Sequence, residues 1–125
     1  MTQALLVAVG GAIGSVLRYY VGVWALKAGG PGFPWGTLTV NLVGCFLIGV
    51  LAELIARKFG GSVELRLLLI TGGLGGFTTF SAFSLDTLLL LEQGEATSAF
   101  LYIASSVVLS LAAVFGGATL IRAVA

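Results

Sequence analysis

Four long apolar runs set the plan of the chain. They cover roughly residues 4–26, 35–55, 67–91 and 96–121. Each reaches the roughly 20 residues that a helix needs to cross a bilayer at a rise of about 1.5 Å per residue. The links are short: GGPGFP at 29–34, a polar turn at 57–64, and EQGE at 92–95. The pattern predicts an all-α membrane protein, a single four-helix transmembrane domain over residues 1–125 with consecutive helices antiparallel. An even number of spans puts both ends of the chain on one side. The opening MTQALLVAVG has no basic leader and no small-residue cleavage signal, so it reads as the start of the first span.

The third run breaks the pattern. Residues 72–83 read GGLGGFTTFSAF, placing four glycines, two threonines and a serine in the middle of a span. An unpaired backbone group in lipid costs several kcal/mol, so irregular backbone survives there only when protein or a water-filled cavity covers it. The third helix is therefore expected to be broken, and the break is the candidate functional centre. Four helices have little interior in which to hide it, which predicts an oligomer, most simply a dimer.

Composition sharpens this picture. Hydrophobic residues make up 58% of the chain and charged residues 9%, against about 25% charged in soluble domains. A net charge of +1 gives no reason to expect a nucleic-acid partner, and the lack of histidine removes the commonest metal ligand and acid–base group. No catalytic residue is expected. The one cysteine, Cys45, lies mid-span. Loop charges place Arg57, Lys58, Arg66 and Arg122 on one side and Lys27 on the other, which favours both termini inside.

The polar residues within the spans are the candidate chemistry. In the first, Gly10 and Gly14 form a G-x-x-x-G pair that lets helices approach closely. Arg18 lies about 12 Å inside the end of that span, where it either snorkels to the interface or stands as a fixed charge that attracts an anion. In the second, Thr37 and Asn41 share a face, and Asn41 serves as interhelical glue or as a donor on a polar path. In the fourth, Tyr102, Ser106 and Ser110 recur at spacings of four, a hydroxyl stripe on an apolar helix. Glu53 and Arg57 read as an exposed i,i+4 pair.

No acidic residue falls near a membrane midplane. The interior offers donors: Thr37, Asn41, Thr79, the hydroxyl stripe, Arg18 and the freed N–H groups of the break. This suits a small anion. Phe80 and Phe83 add ring edges, which carry the positive part of the aromatic quadrupole. The alternative is a small proton-coupled four-helix multidrug exporter relying on Asp86 or Glu53. A third reading is a membrane scaffold whose glycines and serines only pack.

The blocks GGAIGSVLRY (10–19), GTLTVNLVGCFLIG (36–49) and GGLGGFTTFSAF resemble, in order and spacing, the Fluc (CrcB) family of bacterial fluoride channels. Ser15 and Ala82 depart from it, standing where alanine and threonine are common. The resemblance implies a passive, fluoride-selective channel of the inner membrane that lets fluoride escape the cytoplasm. It implies a homodimer of two antiparallel copies, in dual topology, with two pores, against the lean of the loop charges. Phe80 and Phe83 would line each pore, with Asn41 beside them and Tyr102, Ser106 and Ser110 as the polar track. Arg18 would belong to a vestibule. A structural Na⁺ at the dimer centre would be held by the backbone carbonyls of Gly75 and Thr78.

Overall fold

Each apolar run is helical in the computed structural model, which describes residues 1–125 and contains no strand. Helix α1 spans Thr2–Gly29 and α2 spans Trp35–Lys58. Helix α3 covers residues 63–77. It opens with one α-turn at Val63–Leu65, is wound as π-helix over Arg66–Leu74, and tightens again at Gly75–Phe77. After a two-residue break come α4, Phe80–Glu92, and α5, Ala96–Val124. Together α3 and α4 form the third of four helical rods long and apolar enough to span a membrane. The protein is a multi-pass membrane protein.

The rods outrun the apolar windows. The 28 residues of α1 extend about 42 Å, against a hydrocarbon thickness of about 30 Å. The reason lies at the links. Glycines at positive φ (Gly30, Gly60, Gly61 and Gly94) turn the chain only after each helix has passed the apolar zone. At one end of the bundle Glu53 accepts from Arg57 Nε at 2.9 Å and from Arg122 Nε at 2.8 Å, tying α2 to α5. The anticipated Glu53–Arg57 pair is thus two arms of a three-residue cluster.

The break is much shorter than the polar stretch suggests. Only Thr78 (φ −89°, ψ 162°) and Thr79 (φ −157°, ψ 123°) leave the helix. The glycines from 72 to 76 stay helical, because every abandoned backbone hydrogen bond is costly in lipid. At Gly72 and Gly76 the lack of a side chain serves packing, since a Cβ there would collide with the carbonyl oxygen of Val7 or of Gly11. A Cβ on Gly14 would collide with the Gly73 carbonyl oxygen, and one on Gly10 with that of Leu68. The G-x-x-x-G pair of α1 therefore seats α1 directly against the backbone of α3.

Helix α5 packs along α2, and α4 is held against α5 by Leu90, Ala99 and Tyr102, with Phe83 against them. Only 15 of 125 residues are buried, so a single copy cannot enclose its own polar groups. Gly75, Phe80 and Ser81, at the break, are all exposed.

Candidate functional site

The site is built around the two-residue break. Thr78 keeps contact with α3: its N–H and its Oγ1 both donate to the Leu74 carbonyl, at 2.9 and 2.8 Å. Thr79 starts α4: its Oγ1 accepts the Ala82 N–H at 3.1 Å, an N-cap. Between these two anchors the peptide groups lose their helical partners. Asn41 of α2 replaces them for Thr79. Its Oδ1 accepts the Thr79 N–H at 2.8 Å and its Nδ2 donates to the Thr79 carbonyl at 3.0 Å. A backbone N–H can only donate and a carbonyl only accept, so the orientation of the amide is fixed. The register needs Gly44, one turn on, since a Cβ there would collide with the Thr78 methyl.

Other carbonyls of the break divide unequally. Gly76's accepts from Arg18 Nε at 3.0 Å. Arg18 is half-buried and tied to the break from the α1 side. Thr78's carbonyl accepts no hydrogen bond from the protein. Gly75's loses the Thr79 N–H that a continuing helix would supply, because that donor goes to Asn41.

A cavity of about 340 Å³ lies on the other side of the break, between α2, α4 and α5. Asn41, Thr79, Phe80, Phe83, Ser106 and Ser110 line it. The Phe80 and Phe83 rings stand 5.4 Å apart, tilted by 47°. Phe80 is 78% exposed, while Phe83 is half-buried. Ser106 is buried, yet its hydroxyl has no hydrogen-bond partner. The N-terminus of α4 begins on the same wall, where the first N–H groups carry partial positive charge. The cavity thus joins an uncommitted hydroxyl, a helix N-terminus and two aromatic rings, with no carboxylate on its wall.

The remaining expected residues sit elsewhere. Tyr102 is fully buried, its ring 5.1 Å from that of Phe83 and 5.5 Å from that of Phe33. Its hydroxyl donates to Asp86 Oδ2 at 3.0 Å. Thr37 and Asp86 line a second cavity of about 320 Å³ beneath the Gly30–Pro34 loop. Thr37 and Arg18 share a third, of about 380 Å³, on the α1 side. The hydroxyl stripe of α5 therefore meets two different surroundings, Ser106 and Ser110 at the central cavity and Tyr102 in a buried contact with Asp86.

Asp86 and Phe33 were not picked out by the sequence reading for this surface. Asp86 was legible: it follows Phe83 by three residues and so shares its helical face. Phe33 was not, because its place depends on how the loop folds back. Ser105 is spent on the Leu101 carbonyl at 2.6 Å and takes no part.

A four-rod membrane protein with a broken third rod and a donor-lined cavity at the break has the form of a small channel or carrier. The sequence profile of the family described as "CrcB-like protein, Camphor Resistance (CrcB)" matches residues 5–118. The chain belongs to that family. It is 72% identical over 123 residues to a protein of Rhizobium etli, covering 98% of each chain. It is 71% identical over 125 residues to one of Rhizobium johnstonii, covering all of both. A relative in Caulobacter vibrioides is 52% identical over 125 residues, covering 99% of this chain and 98% of that one. All three are named "Fluoride-specific ion channel FluC".

Proposed function

We infer that this chain is a fluoride-selective passive channel, a transporter and not an enzyme. The observation that carries the reading is the central cavity, whose wall holds the unpartnered Ser106 hydroxyl, the N-terminus of α4 and the Phe80–Phe83 pair. Fluoride holds its water tightly, so a path must offer donors in sequence. Ser106, Ser110, Thr79 and the spare N–H of Asn41 supply them, and ring edges add positive potential. Full-length relatives at 70% identity and above carry the fluoride-channel name.

Further parts of the reading concern assembly. The break faces outward: Phe80, Gly75 and Ser81 are exposed on a chain that sits in lipid. A second copy, antiparallel and in dual topology, would cover it, giving a homodimer with two pores in the bacterial inner membrane. Thr37, Tyr102 and Arg18 would flank each path, the first two toward the mouth.

A structural Na⁺ fits the donors present. Thr78's carbonyl is free and Gly75's has lost its helical partner. Hard cations take oxygen ligands, and no His, Cys, Asp or Glu cluster offers another kind of site. The end of α3 also presents the negative pole of its helix. When bound, the ion would offset the carbonyl dipoles that the break leaves uncompensated.

The test is passive release. Liposomes holding the protein and loaded with potassium fluoride release fluoride when a potassium ionophore is added, with no proton gradient imposed. Release that requires a proton gradient would instead support the exporter reading.

A further inference from the structure

The single cysteine has no part in the fluoride reading, yet it stands on the same cavity. Cys45 follows Asn41 by one helical turn, about 6 Å along α2. It is free, half-buried and on the wall with Phe80, Phe83, Ser106 and Ser110. A lone thiol is not a site. The second observation is Ser106, 6% exposed, whose hydroxyl finds no partner and lines the same space. The cavity therefore offers one soft sulfur donor and one uncommitted oxygen donor.

Soft thiophilic metals choose thiolate over oxygen or amide. A bare cation meets a high barrier in a low-dielectric passage, whereas neutral mercuric chloride does not carry that cost. At about 340 Å³ the space exceeds by several-fold the roughly 30 Å³ a water molecule occupies, so a small metal group has room.

Resting on the channel reading above, we propose that the cavity is a binding site for a soft, thiophilic metal species, which attaches to Cys45 Sγ and closes the anion path. With mercuric chloride as the probe, the S–H bond and one Hg–Cl bond break and an S–Hg bond forms. The proton and the chloride leave as hydrogen chloride, and no electron is transferred. The Ser106 oxygen supplies a second, weaker donor to the metal.

The experiment uses the full chain in liposomes and reads intact mass and passive fluoride release together. Mercuric chloride adds one mercury per wild-type chain and abolishes release, and dithiothreitol restores it. Cys45→Ser and Cys45→Ala take up no mercury and keep their release. Ser106→Ala still takes up mercury but surrenders it at a lower dithiothreitol concentration. The proposal is overturned by the absence of an adduct, by an adduct with undiminished release, or by equal block of the cysteine variants. Unchanged mercury retention in Ser106→Ala removes the oxygen donor and with it the two-donor site. A wild-type chain that takes up mercury but releases no fluoride beforehand contradicts the channel reading and leaves the metal site standing.

Discussion

Asn41 holds Thr79 by both edges of its amide, at 2.8 and 3.0 Å, and so stands in for the helix that the third span gives up. The bonds join α2 to the start of α4, so the position of Phe80 and Phe83 depends on an amide in another helix. Asn41→Ala removes both at once and leaves the Thr79 N–H and carbonyl unpaired. Interhelical hydrogen bonds in membranes contribute about 0.6 kcal/mol on average and up to about 1.7. The pair therefore predicts a loss of roughly 1–3 kcal/mol. Denaturation in detergent would show the loss of stability, and fluoride release would fall with it. Asn41→Asp keeps the acceptor, loses the donor and brings a charge, so it is expected to be worse for release than alanine.

Ser106 separates function from stability. Its hydroxyl is buried without a partner, so its removal forfeits no hydrogen bond within the chain. Ser106→Ala is expected to leave the melting temperature unchanged or raised while fluoride release drops. A parallel fall of both would mean that the hydroxyl serves folding.

The phenylalanine pair makes a similar prediction from exposure. Phe80 is 78% exposed in one copy, so Phe80→Ile costs the folded chain little. Phe83 packs on Tyr102, and its replacement costs more. Both substitutions are expected to suppress fluoride release. Reading secondary structure and flux side by side distinguishes them.

The contact between α1 and α3 is a prediction about folding alone. Gly14→Leu drives a side chain into the Gly73 carbonyl, and no rotamer avoids it because the obstacle is backbone. The variant is expected to be lost from membranes or aggregated on extraction. Gly22→Ala, on the same helix with open space around it, is expected to accumulate normally.

The sodium proposal concerns assembly. If the Thr78 and Gly75 carbonyls of two copies hold Na⁺, replacing sodium by a large organic cation weakens the dimer, read by sedimentation in detergent. A dimer that persists equally without sodium contradicts it.

The four rods were legible from the apolar runs because lipid requires both length and hydrophobicity of each span. The candidate site was legible because polar residues at membrane depth need a reason. The extent of the break was not. Glycine is equally compatible with a broken helix and with one pressed against a neighbour, and Gly72 and Gly76 took the second course. Nor was the partnership of Asn41 with Thr79 legible, since it depends on how α2 meets the third rod. Arg18 likewise found a partner, the Gly76 carbonyl, fifty-eight residues away. The hydroxyl stripe of α5 is regular in sequence, but only packing divides it between a central cavity and a buried Tyr102–Asp86 contact.

The central claim is that the donor-lined cavity passes fluoride selectively. Matched liposomes, loaded with potassium fluoride or potassium chloride and opened with a potassium ionophore, compare the two anions directly. Rapid fluoride release, with chloride held at the level of protein-free liposomes, is the predicted result. Chloride release at a rate similar to fluoride, or fluoride release no faster than from empty liposomes, would contradict the account.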